Sequence, residues 1–166
     1  DFLQLILTTS NGPQLWKKIT DLDIEGVIAK KQQSRYHEGK RSEYWLKIKN
    51  LNTIDCVIVG YTAGKGKRKE AFGALDLALY NEKGNLIDVG KVGTGWNEKE
   101  IKWLKAQMGN YIIEQQNNYT KLEPDLVCEV EFLEMTKGFD LRAPSFRRLR
   151  KNKLPKDCTV NQISNI

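Results

Sequence analysis

The fold is decided by residues 74–92, which read Ala74-Leu75-Asp76-Leu77-Ala78-Leu79-Tyr80-Asn81-Glu82-Lys83-Gly84-Asn85-Leu86-Ile87-Asp88-Val89-Gly90-Lys91-Val92. Two segments with strand composition, Ala74–Tyr80 and Leu86–Val92, flank a polar turn that contains a glycine, and this pattern predicts an antiparallel hairpin. The segment Cys56–Tyr61 has the same composition and precedes the hairpin. We therefore expect a three-stranded meander.

A helix and a further strand follow the meander. Asn97 with Glu100 three residues on forms a capping-box signature. An apolar stripe at helical spacing continues from it through Ile101, Leu104, Met108, Tyr111 and Ile112, and Leu126–Leu133 then returns to strand alternation. Three strands, a helix and another strand is the order of the OB-fold, a small Greek-key β-barrel that often binds oligonucleotides. We predict an OB-fold domain over residues 54–166.

The first 53 residues predict a different unit. An apolar strand over residues 2–8 precedes a helix with Leu15, Trp16, Ile19 and Leu22 at helical spacing, and the strands Ile24–Ala29 and Tyr44–Ile48 follow. Three strands and a helix bury little apolar area. We expect residues 1–53 to be the C-terminal part of a larger domain whose beginning is missing, in keeping with the absence of a start Met. The predicted fold class is α+β and mostly β.

The charge of the chain is concentrated near its C-terminus. The 166 residues carry a net charge of +6. The segment from Arg142 to Lys156 holds seven basic residues and no acidic one, which leaves a net charge of −1 for the remainder. Such an excess favours an anionic partner such as nucleic acid. The sequence has no 18-residue apolar run, so we expect no membrane association, and three widely spaced cysteines predict reduced thiols and an intracellular, cytoplasmic protein.

Three short motifs carry groups that suit phosphate chemistry. The first, Glu25-Gly26-Val27-Ile28-Ala29-Lys30, places a carboxylate at one end of a strand and an ammonium group at the other. A hard cation such as Mg²⁺ takes oxygen ligands like Glu25, and a phosphate takes an ammonium group like Lys30. The alternative is a structural strand with solvated charged ends.

The second motif is Trp45-Leu46-Lys47-Ile48-Lys49. Strand alternation puts Trp45, Lys47 and Lys49 on one face, with the two ammonium groups roughly 7 Å apart, so that both can contact one phosphate. The alternative is an edge strand that its lysines protect against aggregation.

The third motif is the basic run Arg142–Lys153. Guanidinium groups bind phosphate oxygens bidentately, so several of them can orient a polyphosphate and neutralise a leaving group. The alternatives are a solvated tail and a general nucleic-acid patch. A further basic loop, Gly64–Lys69, has the composition of a loop that contacts a DNA backbone, and we predict that Lys65, Lys67, Arg68 and Lys69 bind DNA.

Taken in order, the three motifs resemble motifs IV, V and VI of the ATP-dependent DNA ligases, members of the covalent nucleotidyltransferase superfamily. The sequence is most similar to the C-terminal half of the ligase module of the ligase-D type. The likeness extends between the motifs, through Val59–Gly66, Phe72–Leu75 and Gly90–Trp96.

The resemblance implies a partial adenylation domain followed by an OB-fold, and a reaction in which AMP passes from ATP to an enzyme lysine, then to a DNA 5′-phosphate, before a 3′-hydroxyl displaces it and seals the nick. The implied cofactors are ATP and Mg²⁺ or Mn²⁺. The implied partners are nicked double-stranded DNA, in DNA repair or end joining near the nucleoid, and the missing N-terminal half of the adenylation domain.

The resemblance also assigns residues. Glu25 is the implied metal ligand. Lys47 and Lys49 are the implied contacts to the nucleotide α-phosphate, and Lys30 and Trp45 complete the nucleotide-binding set. Arg150 and Lys153 are implied to orient the departing pyrophosphate.

Two departures from the family pattern limit what the chain does alone. The Lys-x-Asp-Gly motif with the nucleophilic lysine does not occur, so we predict that these 166 residues do not self-adenylate, and Asn152 stands where motif VI has an Asp. Two alternatives stay open: an RNA ligase or capping-type nucleotidyltransferase, and a non-catalytic OB-fold module that binds nucleic acid.

Overall fold

The computed structural model describes residue 6 and residues 8–165, without the side chains of residues 164 and 165. The first regular element in this range is a short helix. Helix α1 spans Gly12–Asp21, and the Asn11 side chain accepts a hydrogen bond from the Gln14 backbone N–H at its start. The predicted helical stripe is thus confirmed except at Leu22, which caps the C-terminus. The strand predicted over residues 2–8 falls mostly on residues outside the described ones, and Ile6 and Thr8 have no regular structure.

Two strands complete the first unit, which comprises Asp1–Leu51. Strands β1 (Gly26–Lys30) and β2 (Trp45–Lys49) pair antiparallel, with Gly26 opposite Lys49. Strand β1 begins two residues later than predicted, because the chain still turns at Ile24, whose N–H donates to the Ile19 carbonyl at the end of α1. Gly26 is required at the start of β1, since its φ is +146° and a Cβ there would collide with the Ile48 carbonyl.

The second unit, Asn52–Ile166, contains a six-stranded antiparallel sheet and one α-helix. Its strands lie in the order β5-β4-β3-β7-β6, and β8 also pairs with β7. The helix α2 (Glu98–Met108) follows β5, as predicted. The strands are β3 (Asn52–Ala63), β4 (Phe72–Tyr80), β5 (Leu86–Val92), β6 (Ile112–Gln115), β7 (Tyr119–Phe132) and β8 (Ser145–Leu149).

Hydrogen bonds outside the strand ladders connect the two sides of this sheet. The Leu141 N–H donates to the Val89 carbonyl over 3.1 Å, and the Phe146 N–H donates to the Thr94 carbonyl over 2.9 Å. Gly95 permits this approach, because its φ is +103° and a Cβ there would collide with the Phe146 backbone. Within the described residues, no ladder of strand pairs joins β5 to β8, so the sheet is not a closed barrel. The order of elements and the approach of β8 to the end of β5 nevertheless fit the predicted OB-fold.

The core of the second unit lies between the sheet and α2. Asn97 and Glu100 form the predicted capping box at the helix N-terminus. One face of the helix buries Ile101, Leu104 and Met108 against a core whose largest fully buried side chains include Phe72, Phe132, Ile58, Leu75, Leu77 and Leu79. No α-helix in the described residues has the length and apolar character that a membrane span requires.

The helical stripe was predicted too long. Helix α2 ends at Met108, residues Gly109–Tyr111 form a 3₁₀ turn, and Ile112 begins β6. Tyr111 and Ile112 continue the helical spacing of apolar residues, but Ile112 lies opposite Leu122 of β7. Strand pairing therefore overrides the helical pattern at this point. Strands β6 and β8 were not predicted.

The three cysteines are buried and free within the second unit. Cys56 and Cys128 lie opposite each other on β3 and β7. Burial, together with the nearby charge of Asp55, raises the pKa of Cys158 to about 12. A thiol with so high a pKa is a poor nucleophile at neutral pH.

Candidate nucleotide and phosphate site

One candidate site, in the first unit, is a row of cations on the β1–β2 ribbon. Lys30 lies opposite Trp45, and Lys47 lies opposite Ile28. Directly opposed residues of an antiparallel pair share a face, and alternate residues of a strand do as well. The structure therefore brings together Lys30, Trp45, Lys47 and Lys49, and we call this group the lysine face. The strand period predicted the shared face of Trp45, Lys47 and Lys49, and the pairing of β1 with β2 adds Lys30.

The members of the lysine face have different partners. Lys47 forms an ion pair with Glu25, and the two side chains are 50% and 48% exposed. The Lys30 ammonium lies 3.9 Å from the centroid of the Trp45 ring, over its face, which is a cation–π contact. Lys49 has no hydrogen-bond or ion-pair partner among the residues that the structure describes. An exposed ion pair is weak, so a phosphate can replace Glu25 as the partner of Lys47. Both Lys47 and Lys49 are therefore accessible to an incoming phosphate.

Glu25 is the one metal ligand that the sequence predicted. The residues that the structure describes contain no group of three or more His, Cys, Asp or Glu side chains that could hold a metal ion. A single carboxylate fits the way Mg²⁺ is bound when phosphate oxygens and water supply its other ligands. A single carboxylate is too few ligands for a cation that the protein alone would hold.

A second candidate site, in the second unit, is the C-terminal basic run, whose residues Ser145–Leu149 form a strand rather than a solvated tail. Strand β8 pairs with β7, and Arg148 lies opposite Glu129. All four arginines of the run contact carboxylates: Arg142 reaches Glu134 at 2.6 Å, and the other three reach the carboxylates of Asp55, Glu129 and Glu131. We call Arg147, Arg148, Arg150 and these last three carboxylates the arginine cluster.

Glu129 is at the centre of the arginine cluster. Its side chain is 10% exposed, and Arg148, Arg150 and Arg147 lie 2.6, 3.4 and 3.6 Å from its oxygens. Burial alone would raise the pKa of Glu129, but the hydrogen bond from Arg148 and the charges of the three arginines outweigh it and lower the pKa. Glu129 is therefore ionised at neutral pH.

Arg150 and Lys153, the two predicted pyrophosphate contacts, lie on one turn. The Lys153 N–H donates to the Arg150 carbonyl over 3.2 Å, and the Arg150 N–H donates to the Val127 carbonyl over 2.8 Å. Since the four arginines contact carboxylates, the positive charge of the segment Arg142–Lys156 that remains unpaired among the described residues belongs to Lys151, Lys153 and Lys156. A cavity of about 580 Å³ opens between this segment and α2.

The basic loop between β3 and β4 exposes most of its predicted contacts. Residues Gly66–Arg68 form a 3₁₀ turn. Arg68 donates to the Gly93 carbonyl over 3.0 Å and lies 6.0 Å from the Trp96 ring, so it anchors the loop. Lys65, Lys67 and Lys69 are exposed and have no ion pair within the described part of the chain.

The three carboxylates of the arginine cluster were missed by the sequence reasoning. Asp55 and Glu129 lie on β3 and β7, and both meet Arg150. The signal for Glu129 was present, because Glu129 and Glu131 alternate along a predicted strand. Asp55 stands 95 residues before Arg150 and had no local signal.

Comparisons with known families account for both units. Residues 68–153 match the family described as "ATP dependent DNA ligase C terminal region", and residues 6–49 match the one described as "ATP dependent DNA ligase domain". The first match spans more than half of the chain, and the two together include all three motifs.

Individual relatives agree with these families. A DNA ligase of Methanopyrus kandleri is 35% identical over 162 residues, covering 92% of this chain and 29% of the relative. The multifunctional non-homologous end joining protein LigD of Mycolicibacterium smegmatis is 37% identical over 156 residues, covering 87% and 20%. The chain thus spans less than a third of the length of these relatives.

A solved structure supports the same assignment. The ligase domain of LigD from M. tuberculosis is 33% identical with a TM-score of 0.62, and the likeness covers 89% of this chain and 51% of that one. A family match over most of the second unit, a second match over the first, and a solved ligase domain with the same fold all agree. The chain belongs to the ATP-dependent DNA ligase family and corresponds to its C-terminal region.

Proposed function

We propose that the protein containing this chain is an ATP-dependent DNA ligase that seals nicks in double-stranded DNA through enzyme-AMP and DNA-adenylate intermediates. The observation that carries the proposal is the lysine face, where two accessible ammonium groups lie on one side of a strand beside the Glu25 carboxylate. Phosphoryl transfer depends mainly on positioning and charge neutralisation, and this arrangement supplies both.

The residues of each candidate site have proposed roles. Lys47 and Lys49 contact the α-phosphate, while Lys30 and Trp45 contact the nucleotide. Glu25 would supply one ligand to a bound Mg²⁺ or Mn²⁺, and such an ion would neutralise phosphate charge. Arg150 and Lys153 orient the pyrophosphate as it leaves.

We further propose that residues 1–53 belong to the adenylation domain and residues 54–166 form the OB-fold domain. The lysine nucleophile then lies outside this chain, in the N-terminal half of the adenylation domain. Apolar side chains on the other face of the ribbon support this, because Leu46 and Ile48 are about half exposed. Apolar strand residues are ordinarily covered, and the rest of an adenylation domain would cover them.

Nicked duplex DNA is the proposed substrate, and Lys65, Lys67, Arg68 and Lys69 are its proposed backbone contacts. Exposed lysines on a loop bind phosphates through charge, without reading sequence. DNA as the substrate places the protein in the cytoplasm at the nucleoid.

Labelled ATP tests the proposal. The full-length protein with Mg²⁺ should form a covalent enzyme-AMP adduct, whereas residues 1–166 alone should form none. Sealing of nicked DNA in preference to nicked RNA would distinguish a DNA ligase from an RNA ligase. A full-length protein that forms no adduct but binds DNA in a salt-dependent way would be the non-catalytic module instead.

A further inference from the structure

Two arginines of the basic run, Arg148 and Arg150, contact their carboxylates through different nitrogens of the guanidinium group. A guanidinium group binds a phosphate best through two parallel N–H groups, and the side-on edge formed by Nε and Nη2 is one such pair. An arginine whose side-on edge is already occupied by a carboxylate cannot offer it to a phosphate. Arg148 and Arg150 differ in this respect.

Arg148 uses its side-on edge within the protein. Its Nε and Nη2 lie 2.7 and 2.6 Å from Oε2 of Glu129. Both donors of the edge therefore converge on one buried carboxylate. Arg148 is held as part of the β7–β8 pair.

Arg150 is anchored through its other nitrogen. Its Nη1 donates to Oδ1 of Asp55 over 2.8 Å and lies 3.4 Å from Oε2 of Glu129. Within residues 8–165, neither its Nε nor its Nη2 has a protein acceptor. Two carboxylates that are nearly buried thus hold one end of the guanidinium group, while the side-on edge stays free on a side chain that is one-third exposed.

We propose that Asp55 and Glu129 are positioning residues that fix the Arg150 guanidinium with its side-on edge free for a phosphate group. Their carboxylates also offset the charge of the crowded arginines, so that Arg147, Arg148 and Arg150 can lie close together. A group that is already in place loses little conformational freedom when the phosphate binds, and this is the advantage of such preorganisation. The proposal rests on the proposed ligase function, in which Arg150 meets the departing pyrophosphate.

Asp55 gives the cleaner test because its side chain contacts Arg150 and its backbone groups bond to Gln162 independently of the carboxylate. In the full-length protein, Asp55→Asn keeps the size of the side chain but removes its charge. We expect enzyme-AMP formation to slow by about 10- to 100-fold, since misplacement of a contact group by about an ångström has effects of that size. Sealing of a nick that already carries a DNA-adenylate should stay within about twofold, because no pyrophosphate takes part in that step.

Three variants complete the experiment. Glu129→Gln should show the same split between the two steps, and Asp55→Glu should recover part of the adenylation rate. Glu134→Gln removes the carboxylate of the Arg142 pair and serves as the matched control, with both steps unchanged. Thermal melting of each variant shows whether it is folded.

The outcomes separate the inference from the function on which it rests. If the wild-type protein forms no enzyme-AMP, the proposed function fails. If the wild type forms it and Asp55→Asn does so at the same rate, the positioning role is wrong. Equal loss of both steps in a folded Asp55→Asn variant would also overturn the inference, since it would indicate a general structural role.

Discussion

The lysine face and the arginine cluster hold their cations in opposite ways. On the β1–β2 ribbon the ammonium groups are exposed, and the pair between Lys47 and Glu25 lies half in solvent. In the arginine cluster the guanidinium groups contact carboxylates, and two of these, Glu129 and Asp55, are only 10% and 13% exposed. Both regions are basic motifs in the sequence, yet the charge of the lysine face is exposed, whereas the charge of the arginine cluster is held by carboxylates that are largely buried.

The difference follows from what lies beneath each region. The arginine cluster rests on strands that bury a large apolar core, whereas Ile19 is the one buried residue among the described residues of the first unit. A guanidinium group can be oriented closely only on a rigid support. Among the described residues, only those of the second unit supply such a support.

The largest expected effect tests that support directly. Leu104 of α2 is fully buried, and Leu104→Ala should lower the free energy of unfolding by about 2–5 kcal/mol, through lost burial and the cavity left behind. Leu46→Ala, at an exposed position of β2, should change it by no more than about 0.5 kcal/mol. Urea denaturation of the 166-residue chain measures the free energy of unfolding of both variants. Similar decreases in the two variants would contradict the difference in packing between the two units.

The second prediction tests the lysine face. In the full-length protein, Lys49→Ala should slow enzyme-AMP formation by about 100- to 1000-fold, the usual effect of removing one group that stabilises a charged transition state. Lys17→Ala, which removes an exposed lysine of α1, serves as the control and should have no effect. Adduct formation from labelled ATP measures both rates. An unchanged rate in Lys49→Ala would leave β2 as an edge strand whose lysines only prevent aggregation.

Sequence reasoning predicted the parts of the molecule that depend on local periodicity. The strand period placed Lys47 and Lys49 on one face, and the capping box at Asn97 located the start of α2. Strand β8 was missed because its sequence, Ser145-Phe146-Arg147-Arg148-Leu149, contains two adjacent arginines and one residue that is buried. Those arginines are acceptable in a strand only because β7 supplies carboxylates.

The long strand β7 was predicted too short for a similar reason. Between the pairs Ile58 with Leu126 and Gly60 with Lys121, the register to β3 shifts, and Pro124 lies in the shifted segment. Such a bulge interrupts the alternation from which a strand is recognised, and a proline within a run argues against a strand. The extent of β7 is determined by its pairing with β3, a strand far away in the sequence. The contact of Asp55 with Arg150 likewise joins residues that are distant in the sequence.

The third prediction concerns the acid stability of the arginine cluster. The native pKa of Glu129 lies below its ordinary value of 4.5, because hydrogen bonding and charge from the arginines outweigh burial. The ionised carboxylate therefore contributes stability above pH 4.5, and this contribution disappears as the pH falls through the lower native pKa. Denaturation at a series of pH values should show a weaker loss of stability toward low pH in Glu129→Gln than in the wild type. Parallel profiles for Glu129→Gln and the wild type would contradict the prediction.

The smallest expected effect lies in the exposed pair of the lysine face. Ion pairs with this exposure contribute about 0–1 kcal/mol, so Glu25→Gln and Lys47→Gln should each leave the free energy of unfolding nearly unchanged. A double-mutant cycle of the two substitutions should give a coupling energy within the same range, because solvent screens both charges. The same Glu25→Gln substitution should still slow enzyme-AMP formation in the full-length protein, since it removes the proposed metal ligand. A coupling energy well above 1 kcal/mol would mean that the ribbon orients its charges as firmly as the arginine cluster does, and the distinction between the two regions would then be lost.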